Sequence, residues 1–503
     1  MNFQQYNDNA GSTRTRDIVT NGNNRIVLRR IKRNSKYDDN ECLYIQNQHD
    51  DDGEDCVDYV PESAYDMGWL GYFVGRNNHL KELCIRDFEP SSRASFEEVL
   101  TPFLMGVNNN RSIHTLNFEH IDLFGGRVFS IMGPFFENSP VLTELHIHGC
   151  HFGNDGCRLL ALAIGSSKAK SLQKVTLMDC NVSDEGMVDI ITALSIHPHL
   201  QNLWWSGNRL STKGCMALAT LLRCSCCELQ HLDLDRNELD DEGIDALVPE
   251  LKNCNHLHTL VLSRNLAISL KGWRCLATIL EAPNCSSLIT LYVSGNNVVY
   301  EVVTTLTRAL VNNRTLTTIN VYDNNETITD EGWEAFSKLL CDTSTVNSTY
   351  LSNHTLTYVI GSTDARPSLK PFLTLNKREN KKEIAMIKIL RHHNDFDMMP
   401  FFEWEFKVLP LMINWFEKAS TVDMEGFESK IGPRKLSSIY QFVRGMPLLY
   451  VETRLRKELE DIKSKESKME EKQQELEEEL LELEAEHQLI QEKKAVIMKQ
   501  LSR

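Results

Sequence analysis

The chain is 503 residues long, more than one ordinary hydrophobic core supports, so its length predicts several domains or one repeating domain with additions. Its 41% apolar and 25% charged residues are typical of globular proteins and exclude a fibrous or wholly disordered chain. The formal net charge of -16 argues against a nucleic-acid partner, because phosphate contacts need a basic face.

The start of the chain shows no sign of a targeting or membrane segment. Residues 1–20 are polar, and no stretch approaches the roughly 18 apolar residues that a membrane span requires. Fourteen cysteines lie between Cys42 and Cys341 without paired spacing, which favours reduced thiols. We therefore expect an intracellular protein, cytoplasmic or nuclear, with no membrane partner.

Residues 1–65 are rich in Asn, Asp, Gln and Ser and lack apolar periodicity, which predicts a disordered N-terminal arm. Six basic residues lie between Arg25 and Lys36, and nine acidic residues follow between Asp38 and Asp58. The basic run is open to a nuclear-import or anionic-surface interpretation. A solvated arm that the acidic residues partly neutralise is the favoured one.

An LxxLxL pattern repeats through residues 66–360, and its period predicts the fold. The first apolar position recurs every 28 to 33 residues, at Leu80, Ile113, Leu142, Leu172, Leu200, Leu229, Leu257, Leu288, Leu316 and Val346. Most units then have a glycine with apolar residues four and eight positions later, as at Gly243, Leu247 and Leu251, the spacing of one helix face. About ten strand, turn and helix units must therefore stack, because no single unit buries both its apolar faces.

A small polar side chain follows the strand at the same place in seven units. These residues are Cys150, Cys180, Asn208, Asn237, Asn265, Asn296 and Asn324. An Asn amide, or more weakly a Cys thiol, can hydrogen-bond the unpaired backbone of the turn and of the neighbouring coil. Stacking of the units therefore predicts a structural ladder.

These features resemble the ribonuclease-inhibitor-like class of leucine-rich repeats, whose units have this length and whose ladder mixes Asn and Cys. The resemblance covers about residues 68 to 356. The segments Gly68-Trp69-Leu70-Gly71-Tyr72-Phe73 and Ser352-Asn353-His354-Thr355-Leu356 are similar to those of a repeat-protein group of unicellular algae. The resemblance implies an α/β fold, a right-handed leucine-rich-repeat solenoid or horseshoe with strands on its concave side, and a binding role without a fixed partner.

Two further regions follow the repeats. Residues 361–450 predict a helical cap over the last unit, with candidate helices at 376–392, 400–419 and 433–449. Residues 451–503 predict a long charged helix whose apolar residues follow a heptad from Leu455 to Leu501. Four core positions of that heptad are polar, at Glu466, Gln473, His487 and Lys494. A coiled-coil homodimer and a solvated single helix both stay open.

The candidate site is the concave face, because residues between the apolar positions of a strand point away from the core. Trp, Tyr and Arg concentrate binding energy in protein interfaces, and several fall on this face. The predicted partner-binding residues are Glu144, His146, His148, Lys174, Met178, Trp204, His231, Asp233, Asp235, Arg236, Arg264, Tyr292, Tyr322 and Tyr350. The alternative for Trp204 is that it only packs on Lys174 and His231.

The sequence contains no glycine-rich phosphate loop, paired-histidine helix or nucleophile elbow. The cysteines between Cys224 and Cys227 lack a second ligand pair, so we expect no metal, no cofactor and no catalytic residue. The favoured function is a non-enzymatic scaffold that binds a partner protein on the concave face. The alternative is a GTPase-activating protein of the Ran type, suggested by its resemblance to that horseshoe and by the acidic segment Glu475 to Glu486.

Overall fold

The computed structural model describes residues 3–34, 41–47, 56–87, 95–224, 228–281, 287–324, 327–361, 368–393 and 431–501. The chain divides into two compact units, Met1–Met386 and Ile387–Arg503. Within the described ranges, no helix combines the length and apolar character that a membrane span requires.

The described residues of the first unit form one parallel sheet of twelve strands. The strands are β1 (Cys42–Ile45), β2 (Cys56–Tyr59), β3 (Glu82–Arg86), β4 (Thr115–Glu119), β5 (Glu144–His148), β6 (Lys174–Met178), β7 (Asn202–Trp204), β8 (His231–Asp233), β9 (Thr259–Val261), β10 (Thr290–Tyr292), β11 (Thr318–Asn320) and β12 (Tyr358–Ile360). From β3 to β12 each strand pairs with the next in sequence, and β1 lies between β3 and the edge strand β2. Parallel neighbours need a crossover, which helices supply.

The helices of the repeats and their flanks alternate with these strands. They are α1 (Phe3–Asn9), α2 (Thr15–Ile18), α3 (Gly22–Arg33), α4 (Ala64–Arg76), α5 (Phe96–Val107), α6 (Arg127–Ile131), α7 (Gly133–Asn138), α8 (Gly153–Gly165), α9 (Asp184–Leu194), α10 (Thr212–Leu222), α11 (Asp241–Asn253), α12 (Leu270–Glu281), α13 (Tyr300–Leu310), α14 (Asp330–Leu340), α15 (Val346–Leu351), α16 (Lys370–Asn376) and α17 (Lys381–His392). The predicted α/β solenoid of strand, turn and helix is confirmed.

One unit shows why the sequence folds this way. In β8, Leu232 is fully buried while His231 and Asp233 on either side are half-buried. The following helix α11 buries Ile244 and Leu247 on one face. Because a strand alternates its faces and a helix repeats every 3.6 residues, both apolar faces meet in the layer between sheet and helices.

The structure shows the predicted Asn and Cys ladder directly. The Asn208 amide donates to the Leu177 carbonyl of the preceding unit at 2.7 Å, and its oxygen accepts the Val182 N–H at 3.0 Å. The Cys150 thiol donates to the His148 carbonyl at 3.3 Å. Burial raises the pKa of Cys150 to about 11, so the thiol keeps its proton and remains a donor at neutral pH.

The residue immediately before the ladder position has a left-handed backbone. This conformation recurs at Asp87, His120, Gly149, Asp179, Gly207, Arg236, Arg264, Gly295, Asp323 and Gly361. The N–H of Gly207 still donates to the Asp235 carbonyl of the next unit at 2.9 Å, so the inter-unit hydrogen bonds continue beyond the strands. The side chains in this column therefore form one border of the concave face, here called the left-handed column.

A second set of buried asparagines, which the sequence analysis did not find, joins the ends of the helices. The Asn110 amide donates to the Val74 carbonyl at the end of α4 at 2.7 Å, while its oxygen accepts the N–H of Ile113 at 2.9 Å. Asn77, Asn313, Asn353 and Asn376 donate to backbone carbonyls in the same way. Three residues separate Asn110 from the first core position Ile113, and this spacing is the signal that could have revealed the set.

The predicted disorder of residues 1–65 is wrong for the part that the structure describes. Helix α3 buries Leu28 and Ile31, and Tyr6 of α1 packs edge-on against Trp69 with ring centroids 5.0 Å apart. The Asn77 amide donates to the Ile31 carbonyl at 3.1 Å. The segment is ordered because the first repeat has an apolar side that some element must cover.

The basic run belongs to helix α3 and is not a free arm. The Arg25 guanidinium donates to the Val19 carbonyl at 3.1 Å, and the Lys32 ammonium lies 5.3 Å from the centre of the Phe73 ring. Lys36 lies outside the described residues. The run is thus mostly the polar face of an amphipathic helix, whose other face is in the core.

The predicted tenth unit is also wrong in register. Val346 begins helix α15, which contains Tyr350, so Tyr350 does not lie on a strand of the concave face. The strand is β12, because Asn353 accepts the N–H of Leu356 at 2.8 Å and so places the first apolar position at Leu356. The spacing from Leu316 is longer here, since α15 is inserted between α14 and β12.

The region after the repeats is helical where it is described. In the first unit, α16 buries Leu373 and Leu375, and its Asn376 amide donates to the Leu356 carbonyl at 2.7 Å. The candidate helix at 400–419 lies outside the described residues. In the second unit, a single helix α18 (Ile431–Leu501) runs through the boundary expected at residue 450, because residues 449–455 include no glycine or proline that would end it.

Candidate functional site

The candidate site is the face of the sheet that points away from the helices, the predicted concave face. The strand registers align one central row of residues across it, namely His146, Thr176, Trp204, Asp233, Val261, Tyr292 and Asn320. Parallel strands are about 4.8 Å apart, so Trp204 and Tyr292, three strands from each other, are separated by about 14 Å. Two aromatic side chains thus flank Asp233 and Val261.

Trp204 faces the site while its neighbour Trp205 is fully buried in the core. Its register partners are Thr176 on β6 and Asp233 on β8. Lys174, one of the two residues on which the alternative interpretation relied, has its ammonium 2.7 Å from Glu144. Trp204 itself is half-buried.

Asp233 is the electrostatically unusual residue of the central row. Burial raises the pKa of its carboxyl group, and neither the hydrogen bond from the Asp235 N–H at 2.8 Å nor the charge of Arg236 offsets this effect. Asp235 adds a second negative charge nearby. Among the described residues, no lysine or arginine forms an ion pair with Asp233, so its charge lacks a direct counter-ion.

On β5 and β6, charged and polar side chains form a cluster in which each has a partner within the cluster. The Glu144 carboxylate is 2.7 Å from the Lys174 ammonium and 3.3 Å from His146 Nε2, while His146 Nδ1 is 2.8 Å from the Thr176 hydroxyl. Burial alone would raise the pKa of Glu144, but the hydrogen bonds from Lys174 and His146 hold it below its ordinary value. This cluster has its charges balanced within the chain.

A second ionic cluster lies at the left-handed column. Asp179 is 3.3 Å from both His148 and Arg236, and Arg236 also approaches Asp235 at 3.1 Å. Arg264 lies 3.5 Å from Asp235. The sequence analysis missed Asp179, although it occupies the same column as Arg236 and Arg264 and could have been found by counting back from the ladder residue Cys180.

Because Gly207 has no side chain, the Asp179 carboxylate can pass over it and contact the Arg236 guanidinium. Its φ is +65°, and a Cβ atom there would collide with the Asp179 carboxylate. We expect Gly207→Ala to lower the free energy of unfolding by about 1 to 3 kcal/mol, because an alanine is strained in this conformation and displaces Asp179. Thermal or chemical denaturation measures the loss.

Gly295→Ala is the matched control for that substitution. Its φ of +60° gives the same backbone strain, but the nearest side-chain atom is the flexible stem of Arg264 at 3.1 Å. The Gly295→Ala variant should therefore lose less stability than the Gly207→Ala variant. In the Asp179→Ala background the two losses should become equal, and an unchanged difference would contradict the proposed crossing of Asp179 over Gly207.

The C-terminal part of the face is rich in aromatic side chains, and the Lys377 ammonium lies 4.3 Å from the centre of the Tyr358 ring. Tyr292 is half-buried, whereas Tyr322 is 58% exposed and Tyr358 on the edge strand β12 is 50% exposed. Ile360 is 37% exposed and extends the central row to this edge. Tyr358 and Ile360 were missed because the sequence analysis placed the last strand at Val346.

The remaining predicted residues lie on the same face. Met178 and His231 are half-buried at strand positions that point away from the core. Burial, together with the nearby His258, lowers the pKa of His231, so this imidazole is neutral at physiological pH. Of the predicted site residues, the structure therefore removes Tyr350 and brings the others to one face.

Comparison with known proteins supports the repeat. A family model described as "Leucine Rich repeat" matches residues 138–161, 168–190, 225–248 and 312–337. These segments contain β5, β6, β8 and β11 and extend into the helix that follows each strand. The matches therefore coincide with units of the solenoid.

Curated relatives match the chain over part of their length. The NACHT, LRR and PYD domains-containing protein 5 of Homo sapiens is 31% identical over 147 residues, 29% of this chain and 12% of that protein. Its counterpart in Mus musculus is 28% identical over 288 residues, 57% of this chain and 24% of that protein. The chain thus spans at most about a quarter of the length of these relatives.

Similar solved structures include a chain of the yeast Rad7 and Elc1 complex, at 16% identity and a TM-score of 0.28, covering 66% of this chain and 88% of that chain. Another is an internalin of Listeria monocytogenes, at 15% identity and a TM-score of 0.34, covering 56% and 77%. The chain itself shows the repeated strand, turn and helix, the Asn and Cys ladder, and the matched repeat segments. The repeated units of this chain are leucine-rich repeats.

Proposed function

We propose that this chain is an interaction scaffold that binds a partner protein on its concave face, with Trp204 and Asp233 at the centre of the contact. The observation that carries the proposal is the position of Asp233, a partly buried carboxylate without an ion-pair partner among the described residues, in register with a half-exposed tryptophan. An unpaired carboxylate that is partly buried raises the free energy of the unbound protein, and binding of a cation beside it lowers that free energy.

The chemistry of the pair fits an arginine or lysine of the partner. A guanidinium or ammonium placed there would compensate the Asp233 charge and could lie over the Trp204 ring, where the negative face of the indole attracts cations. Such a contact is desolvated on binding, which strengthens it relative to contacts at an exposed rim. We therefore expect the partner to present a basic side chain.

The residues around Trp204 and Asp233 favour a protein as the partner. Tyr292 supplies a second rigid aromatic anchor about 14 Å away in the same row. Asp235 is already paired with Arg236 and Arg264, so it contributes less to direct binding than Asp233 does. Rim charges of that type mainly steer association and set its salt dependence.

Asp233→Asn is expected to separate stability from binding. The raised pKa of Asp233 means that the folded state holds its proton more tightly than the unfolded chain, so its contribution to stability is present at low pH and is lost as pH rises through the raised pKa. At neutral pH the Asp233→Asn variant should be at least as stable as the unmodified chain and should bind the partner less tightly.

Melting temperatures between about pH 3 and pH 7, with calorimetric titration of the partner, test both effects. The partner is first captured by pull-down from a native extract with the unmodified chain. Asp155→Asn is the matched control, since Asp155 is an exposed carboxylate at the start of helix α8. An Asp233→Asn variant that binds as tightly as the Asp155→Asn control would remove Asp233 from the contact.

The Ran-type alternative rests on the acidic segment Glu475 to Glu486, which forms part of helix α18. A GTP-hydrolysis assay with added small GTPases tests this alternative. An accelerated rate that survives Asp233→Asn and Trp204→Ala would favour it over the proposed scaffold.

A further inference from the structure

Helix α18 exposes an apolar stripe along most of its length. Nine side chains of the stripe are each at least half exposed, namely Leu455, Leu459, Ile462, Met469, Leu476, Leu480, Leu483, Ile490 and Ile497. An exposed apolar stripe of this length, interrupted by four polar residues, is typical of an interaction site. Its spacing of three and four residues places it on one side of the helix.

The heptad assigns every core position of this stripe. With Leu459 and Leu480 at a positions, the d positions from Leu455 to Ile497 are all apolar, and the a positions include Glu466, Gln473, His487 and Lys494. Alternation of this kind leads helices to pair along the a and d seam. The flanking e and g residues then decide which helix is the partner and in which direction it runs.

We propose that α18 pairs with α18 of a second copy of this chain in a parallel, in-register, two-stranded coiled coil over residues 455–501. The inference rests on residues outside the concave face, so it goes beyond the proposed function and can fail independently of it.

Charge complementarity across the seam identifies a second copy as the partner. In a parallel pair, each g residue faces the e residue five positions later in the other helix. Glu458 then faces Lys463, Lys465 faces Glu470, and Lys472 faces Glu477. Symmetry forms each of these attractive pairs twice, and among the flanking g and e positions only 479 and 484, both glutamates, oppose like charges.

The antiparallel alternative lacks this complementarity. Full overlap of residues 455–501 in opposite directions brings g near g and e near e. Lys465 then approaches Lys493, and Glu470 approaches Glu484. At the centre, the glutamates at positions 477 and 479 approach their own copies. Lys472 with Glu486 is the one attractive pair among these flanking positions, so like charges dominate there and the parallel direction is favoured.

In the parallel direction each polar a residue lies opposite its own copy, which sets Glu466 against Glu466 and Lys494 against Lys494 at a cost in stability. Gln473 meets Gln473 of the second copy, and each amide can donate to and accept from the other. Glu466 inserts beside Lys465 of the second copy, because an a residue packs next to the preceding g residue of the facing helix. Such buried polar contacts lower stability but fix the register.

The first experiment measures mass and direction on the full chain. Size-exclusion chromatography with light scattering should give a mass of twice 57.7 kDa at micromolar concentration. Gln473→Cys should form a disulfide between the two copies under mild oxidation, while Ala485→Cys at an outward f position should not. In the antiparallel arrangement, residue 473 lies opposite residue 483, about 15 Å from its copy, beyond the reach of a disulfide.

The second experiment reverses the flanking charges. Lys465→Glu with Lys472→Glu converts four attractive pairs of the dimer into repulsive ones and should weaken dimerisation on the order of a hundredfold. Adding Glu470→Lys and Glu477→Lys to the same chain restores every pair and should restore the dimer. A monomeric unmodified chain, a dimer without the 473 disulfide, or a quadruple variant that stays dissociated would each overturn the proposal.

A dimer of this kind carries two concave faces. Both copies leave the coiled coil from the same end, because residue 455 of one helix lies beside residue 455 of the other. A partner with two binding sites would therefore be held more tightly than one site allows. The double charge reversal, which separates the copies, should speed the release of a bivalent partner and leave the release rate of a monovalent partner unchanged.

Discussion

Replacing Trp204 and Tyr292 together by alanine is expected to weaken binding of the partner by on the order of a thousandfold. Truncation of one central aromatic anchor usually costs about 2 kcal/mol or more, and each factor of ten in affinity corresponds to about 1.4 kcal/mol. Both side chains are half-buried on the concave face, outside the layer between sheet and helices. The melting temperature should therefore change little. Isothermal titration with the purified partner measures the loss.

Leu162→Ala with Met216→Ala is the matched control. These two large apolar residues are 66% and 55% exposed on helices α8 and α10, so their removal deletes similar surface on the opposite side of the solenoid. The control should bind as the unmodified chain does. Added salt should slow association of both variants without restoring the affinity of the anchor variant.

A wild-type affinity of the anchor variant would contradict the concave-face proposal. The alternative recognition element is then helix α18, and deletion of residues 451–503 distinguishes the two. If that deletion removes binding while the anchor variant retains it, the solenoid is the support and the helix is the binding element. Loss of binding in both would indicate that dimerisation raises the affinity of the concave face.

Leu232→Ala is expected to destabilise the solenoid far more than Asp233→Ala. The Leu232 side chain is fully buried, and its register partners Leu203 and Leu260 belong to the same core row. Truncation leaves a cavity and should lower the free energy of unfolding by about 2 to 5 kcal/mol. Asp233 is not a core residue, and its carboxylate is disfavoured where it lies, so its removal should cost little.

Chemical denaturation monitored by circular dichroism measures both variants under the same conditions. Equal losses for the two adjacent positions would contradict this assignment of core and open faces, and a larger loss at Asp233 would mean that the strand alternates in the opposite sense. Leu203→Ala and Leu260→Ala provide a further check, since both are buried in the same row and should resemble Leu232→Ala.

The repeat, and the strand positions that face away from the core, could be predicted from the amino-acid sequence alone. Nine first apolar positions from Leu80 to Leu316 mark a unit correctly, and the ladder residues make the expected backbone hydrogen bonds. These features are visible in the sequence because every unit has the same local requirements. Each unit must bury the apolar face of its strand and of its helix, and the backbone groups of its turn need hydrogen-bond partners. The same period separated Trp204 on the open face from the neighbouring Trp205 in the core.

The elements that cover the two ends of the repeats, and the pairing of the charged side chains, depend on tertiary contacts that the sequence does not show. Helix α3 is ordered because Leu28 and Ile31 have the first repeat to pack against, although its own sequence is too polar and short to show this. The last strand begins at Tyr358 and not near Val346, because the Asn353 amide donates to the Leu310 carbonyl of α13, 43 residues earlier in the chain. The raised pKa of Asp233 could not be predicted from the sequence either, because the burial of its carboxyl group and the charges around it depend on neighbouring units that are distant in the sequence.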